Sequence, residues 1–272
     1  MLKQRILTAL ILIPIFIALV LKLSPAAFCI LVSVIVIWGA WEWSLFMGVA
    51  KFPHCFFYPI AMFFIVLFFL LVPIPIHTIL YAGVGWWFVA LLLVCLYPKA
   101  SQLWSKSVLL RAIMGVFVLI PCWTAINFIR SGTNGIYMLL FLFVLIWGAD
   151  SGAYFVGKKW GKNKLAPHVS PGKTLQGLLG ALITSAIIMF SAFFLFDIPR
   201  SLWLGATLLS LVTVLFSVLG DLFESMLKRN AGLKDSGQLL PGHGGMLDRI
   251  DSLTAAAPVF ALGVIILQRI SV

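Results

Sequence analysis

Nine apolar runs divide this chain, spanning residues 6–21, 26–47, 57–73, 76–97, 109–129, 135–156, 175–196, 202–223 and 252–268. Short charged or Pro/Gly breaks separate them. Runs of this length predict membrane-crossing helices, since a span needs about 20 residues. The first and third runs are the shortest and require a thinner bilayer or some local adjustment. Pro73-Ile74-Pro75 makes a tight break between the third and fourth runs, because proline cannot donate the helix hydrogen bond. Alternating ten-residue segments, the mark of a transmembrane β-barrel, do not occur. The expected fold is therefore all-α and polytopic, an integral membrane protein of about nine transmembrane helices.

Basic residues set the orientation. With nine spans and the N-terminus inside, 15 Lys and Arg fall on the inner side and 4 on the outer: Lys22, Arg130, Arg200 and Arg269. Cytoplasmic loops are enriched in these residues, so the N-terminus is expected in the cytoplasm and the C-terminus on the outer side. The N-terminal Lys3, Arg5 and following apolar run have the look of a signal peptide, but bulky Phe28 before Cys29 argues against lipoprotein processing. An uncleaved first helix is the better reading. Residues 1–130 form an N-terminal transmembrane bundle of about five helices. Residues 131–272 form a second half with two long cytoplasmic segments, 157–174 and 224–251.

Composition narrows the function classes. Hydrophobic residues make up 62% and charged residues 10%, against about 25% charged in soluble domains. The net charge of +11 follows from topology alone, or from anionic substrates and lipid headgroups. No soluble basic domain exists to carry nucleic acid. Cys29, Cys55, Cys95 and Cys122 are scattered without a CxxC pair, so neither a zinc site nor a disulfide framework is indicated. No internal repeat supports an inverted-repeat transporter.

Five of the eight acids fall between residues 221 and 251. Carboxylates at a membrane edge are costly and need a reason. Asp221, Glu224, Ser225 and Lys228 sit at i, i+3, i+4 and i+7, on one face if the eighth helix continues past Asp221. That stripe can hold a metal and a phosphate together; an ordinary solvated helix end, with Lys228 and Arg229 favoured by the dipole, is the bland alternative. Pro241-Gly242-His243-Gly244-Gly245 suits a loop whose backbone N–H groups approach an anion, or simply a flexible connection. Asp251 with Ser252 can cap the ninth helix. Asp248 lies a turn too early for that. Asp221 with Asp248 is the first choice for a metal pair, with Asp251 next, and hard carboxylate oxygens point to Mg²⁺, with a second cation allowed.

In the other cytoplasmic segment, Pro171-Gly172-Lys173-Thr174 mimics the end of a P-loop. A Walker motif needs Gly at 167, where this chain has Pro167, and a preceding strand, which is missing. Ser170, Lys173 and Thr174 are instead expected to face phosphate near the start of the seventh helix. Positive-inside charge explains the lysines equally well. Asp150 falls inside an apolar run, which makes it a functional candidate, unless the helix ends near 148 and leaves it in water. Tyr154 at i+4 could hydrogen-bond it.

At these residues the chain resembles the phosphatidate cytidylyltransferase (CDP-diacylglycerol synthase) family. Ser225, Lys228, Arg229, Lys234, Asp235, Gly237, Leu240, Pro241, His243, Gly244, Gly245, Asp248, Arg249 and Asp251 match the family signature at their offsets, with Gly220-Asp221 as its lead-in. Ala149-Asp150 to Tyr154, Gly157, Gly161, Lys164-Leu165 and Ser170-Pro171-x-Lys173-Thr174 match upstream. Gln176 departs from the pattern, because the family commonly has an acid there. The resemblance is specific from about 147 to 251; the first 130 residues match only in being apolar and multi-spanning.

The resemblance implies attack of phosphatidate on the α-phosphorus of CTP, giving CDP-diacylglycerol and pyrophosphate. It implies metal binding by Asp221, Asp248 and Asp251, and metal or phosphate ligation by Ser225. Lys228 and Arg229 would neutralise the substrate phosphates. Ser170, Lys173, Thr174, Lys234, His243, Gly244, Gly245, Arg249 and Asp150 would line the phosphate and substrate sites. The implied partners are CTP, phosphatidate and membrane lipids, and a homodimer is compatible with the family. A bacterial inner membrane, with the site facing the cytoplasm, is the expected location. A CTP-dependent lipid or polyprenol kinase, a transporter of an anionic solute and a scaffold protein are the competing readings.

Overall fold

The computed structural model describes residues 14–49, 51, 53–237, 239 and 244–270. The chain is helical over residues 14–22 (α1), then folds as α2 (Pro25–Phe46), α3 (Phe57–Leu71), α4 (Ile76–Cys95), a short α5 (Ser101–Trp104) and α6 (Val108–Ser131). There follow α7 (Gly135–Trp160), β1 (Lys164–Ala166), β2 (Ser170–Thr174), α8 (Leu175–Leu195), α9 (Trp203–Asn230) and α10 (Leu247–Ile270). Among the described residues, eight helices are long and apolar enough to cross a membrane. The first expected span is helical in its described part, and its residues before 14 lie outside the described residues, with Lys3 and Arg5.

Local chemistry starts several helices where the hydropathy pattern predicts. Ser24 caps α2, accepting from the Ala27 N–H, with Pro25 at its first position. Ser107 caps α6 by accepting from Leu110. A side-chain acceptor at this position satisfies one of the orphan amides of a helix start.

α6 and α10 are the central helices. About two thirds of the most apolar stretch of each is buried (67% and 61%), against 28% for α4, α7 and α9. Ala255, Ala256 and Ala257 are wholly enclosed, and small residues like these let helices approach closely inside a membrane. One continuous core runs from Val20 to Leu262, so the two expected halves share their interior. Phe64, Phe68, Leu71, Leu92, Ile183 and Phe194 point outward. So much exposed apolar surface would be a liability in water and is ordinary against lipid.

Three elements differ from the sequence reading. α9 continues to Asn230 and α10 begins at Leu247, so both ends of the polar signature sit on helices. Hydropathy stops at the first carboxylates, whereas the backbone ladder does not. Part of the 157–174 segment is an antiparallel hairpin, with Lys164 opposite Thr174 and Ala166 opposite Ser170. The helix that carries Asp150 runs on to Trp160 instead of ending near 148.

Candidate active site

Asp221 and Ser225, one turn apart on α9, are joined by a hydrogen bond from Ser225 Oγ to Asp221 Oδ1 at 3.2 Å. The same spacing pairs Glu224 with Lys228 at 3.2 Å. The expected polar stripe therefore exists, as two interleaved i,i+4 pairs. Lys228 also reaches α10, where its Nζ lies 2.5 Å from Asp248 Oδ1. This ammonium thus holds carboxylates on two helices in a setting where all three side chains are nearly enclosed.

The hairpin supplies the second cation. Lys173 Nζ lies 2.7 Å from Asp221 Oδ2, and both side chains are about 30% exposed. Asp150 on α7 lies within electrostatic reach of Lys173 and Asp221. Asp251 on α10 senses Asp221, Lys173 and Lys228. Gly220 brings the last two helices together at this level, because a side chain there would collide with the Asp251 carbonyl oxygen. Four elements (α7, the hairpin, α9 and α10) therefore converge on one polar layer.

Several expected ligands are already engaged within the protein. Asp248 Oδ2 accepts from the backbone N–H groups of Gly245 (2.8 Å) and Ser236 (2.9 Å), with the Ser236 hydroxyl at 3.0 Å. Asp248 thus stands in the first turn of α10, not a turn before the helix as expected, and its carboxylate holds the loop that leads into that helix. The Gly245 N–H serves this protein carboxylate in place of a bound anion. Thr174 is buried and is the N-cap of α8, accepting from the Gly177 N–H at 3.1 Å. Arg229 donates from Nε to the Val169 carbonyl in the hairpin at 3.4 Å. Tyr154 does not follow the expected pairing with Asp150; its ring lies 5.6 Å from the Lys158 ammonium.

Ser170 opens β2 and is half-buried, while Lys234, just after α9, and Arg249, in the first turn of α10, are exposed. Gly244 adopts φ +82°, a backbone shape that glycine takes without strain. His243, with Leu240 and Pro241, lies outside the described residues. Gln176, at the position where an acid was expected, accepts from the Lys162 and Asn163 N–H groups, both at 3.1 Å. Its carbonyl oxygen pins the start of the hairpin to α8, work that needs an acceptor and not a charge.

Sequence reading gave no role to Glu42 on α2. Its buried carboxylate accepts from the Met246 and Leu247 N–H groups and from Ser236 Oγ. Its position inside an apolar run was the available signal, since an intramembrane acid needs partners. Among the described residues, no three His, Cys, Asp or Glu side chains form a ready-made metal cage. An apolar cavity of about 620 Å³, lined by Tyr137, Phe141, Phe196 and Phe260 among others, lies at the opposite ends of α7 to α10 and contains none of the expected site residues.

Comparison with known proteins places these residues in context. Residues 3–267 match the Cytidylyltransferase family. Phosphatidate cytidylyltransferase of Haemophilus influenzae is 39% identical over an alignment covering 96% of this chain and 98% of that protein. The protein of that name from Pseudomonas aeruginosa is 41% identical, covering 96% of each. A Staphylococcus aureus phosphatidate cytidylyltransferase is 42% identical over 52% of this chain and 53% of its own length.

Proposed function

Because the chain belongs to the cytidylyltransferase family, and is thereby a nucleotidyltransferase, we propose that it is a CTP:phosphatidate cytidylyltransferase. The observation that carries this reading is the Lys173–Asp221 contact. It joins the two polar blocks of the sequence into one charged layer at the end of an apolar bundle, where a lipid phosphate and a water-soluble nucleotide can meet.

In the proposed reaction a phosphate oxygen of phosphatidate attacks the α-phosphorus of CTP. The bond from that phosphorus to the oxygen bridging the β-phosphate breaks, and pyrophosphate leaves with the electron pair. CDP-diacylglycerol remains in the membrane. Such a transfer mainly needs in-line positioning and neutralised charge. Lys173, Lys228 and Arg229 supply positive charge, and Ser225 a hydroxyl. Phosphatidate is already anionic at neutral pH, so no separate base is required. Asp150, Ser170, Lys234, His243 and Arg249 are the further substrate contacts, while Thr174, Gly244 and Gly245 hold the frame. All of these lie in 131–272, which gives the division near residue 130 its functional sense.

The reading includes Mg²⁺ at Asp221, Asp248 and Asp251, with a second cation allowed. The donors suit it: their oxygens are hard, and Asp221 and Asp248 each already hold an ammonium where positive charge is wanted. When bound, the ion would offset triphosphate charge. The proposal further puts the N-terminus and the site on the cytoplasmic side of a bacterial inner membrane, with a homodimer as a compatible assembly.

The test is turnover of labelled phosphatidate by detergent-purified protein with CTP and Mg²⁺. CDP-diacylglycerol with equimolar pyrophosphate, abolished by EDTA, is the expected result. A phosphorylated lipid with CDP release would replace this reading with a kinase. Folded protein without turnover on any lipid would move the weight to transport.

A further inference from the structure

We propose that Glu42 is a positioning residue for the transfer site, a clamp through which the N-terminal bundle fixes the carboxylate of Asp248. The inference rests on the function proposed above. Glu42 lies on α2 and is 2% exposed. It is also the sole acid before Asp150. An unpaired carboxylate in such a place would be strongly disfavoured.

Its partners are specific. Oε1 accepts from the Met246 N–H at 2.7 Å. Oε2 accepts from the Leu247 N–H at 2.8 Å and lies 2.7 Å from Ser236 Oγ. These amides belong to the start of α10, where the helix dipole favours a negative charge. The residue just before Leu247 is Met246, which offers no capping side chain. A helix that begins 205 residues further along the chain therefore takes its cap from α2.

The clamp reaches the site through one hydroxyl. Ser236 Oγ lies between Glu42 Oε2 (2.7 Å) and Asp248 Oδ2 (3.0 Å). A hydroxyl has one proton to donate, and the shorter contact gives it to Glu42. The Ser236 and Gly245 N–H groups then hold Asp248 Oδ2, leaving Oδ1 for Lys228. Two glycines wall the slot. A Cβ on Gly237 would come within 2.9 Å of the Glu42 carboxyl carbon, and one on Gly245 within 2.6 Å. Both glycines belong to the signature, and Glu42 gives a physical reason for them.

Glu42→Gln keeps the size but turns one acceptor into a donor, which would face a backbone N–H or the Ser236 hydroxyl. In the full-length detergent-purified protein, hydrogen exchange at Met246 and Leu247 should rise. The turnover number should fall about ten- to hundredfold, the range expected for a small misplacement of a reacting group, while KM for CTP changes by less than about threefold. Glu42→Asp, which keeps the charge, should recover part of the loss. Met62→Ala, a buried core truncation on α3, which donates and accepts no hydrogen bond in the clamp, controls for general destabilisation and should leave the turnover of folded protein unchanged.

Unchanged exchange at 246–247 in Glu42→Gln would overturn the clamp. Raised exchange with wild-type turnover would overturn the positioning role. So would an equal loss in Met62→Ala. A wild type that performs no cytidylyl transfer would defeat the proposed function instead, and the exchange result alone would then decide the clamp.

Discussion

Replacing Lys228 with methionine is the sharpest probe of the charged layer. Its ammonium lies 3.2 Å from Glu224 and 2.5 Å from Asp248, with side-chain exposures of 12%, 6% and 7% in that order. At an effective dielectric constant of about 20, contacts at these distances are worth roughly 5 and 7 kcal/mol before desolvation is subtracted. Desolvation offsets much of this, so the intact cluster adds little net stability. Removing the cation is different, because it leaves two enclosed carboxylates facing each other. Breaking a buried pair in this way costs about 3–5 kcal/mol. For a large domain that corresponds to a fall in melting temperature of roughly 6–20 °C. The assay is thermal unfolding in detergent beside lipid-product formation. Lys228→Met should melt early and be inactive. The double variant Glu224→Gln/Lys228→Met removes one stranded charge, so it should regain part of the stability and none of the activity. A Lys228→Met protein melting within about 2 °C of wild type would refute the reasoning.

Three further outcomes are expected. Lys173→Ala should lose turnover yet shift stability by no more than about 1 kcal/mol, because its pair with Asp221 is partly solvated; melting and turnover measured together check the contrast. Gln176→Glu should fold and turn over normally, whereas Gln176→Leu should loosen the hairpin, since only the first keeps an acceptor for the Lys162 and Asn163 amides; limited proteolysis between residues 161 and 174 reads the difference. Gly220→Ala should cost about 1–3 kcal/mol by forcing α9 and α10 apart at the Asp251 carbonyl, seen as a lower melting temperature with reduced turnover.

The membrane helices were readable because each carries its own signal. α8, for example, is a largely apolar run without a charged residue, opened by a threonine cap. The convergence of the two polar segments was readable too, from their shared side in the charge count, although hydropathy could not say that Lys173 would touch Asp221. What escaped had its cause elsewhere in the chain. The polar end of α9 persists because Glu224 and Lys228 pair across one turn and Asp248 completes the set from α10. Asp248 seemed free of helix duty because the start of α10 is fixed by Glu42, whose partners lie up to 205 positions away. Family likeness at 241–251 identified the important segment. It did not reveal that Gly245 makes room for the Glu42 carboxyl.

That separation in sequence has a consequence for biogenesis. At about 5–20 residues per second, Glu42 leaves the ribosome roughly 10–40 seconds before the amides that will receive it. Throughout that interval α2 carries an acid that its own neighbours do not satisfy, and in lipid such a group resists settling among apolar helices. The arrival of α10 supplies the missing donors and closes the bundle at the moment the last acids of the site come into place. A chain that stops short of α10 lacks the Met246 and Leu247 donors for the Glu42 carboxylate.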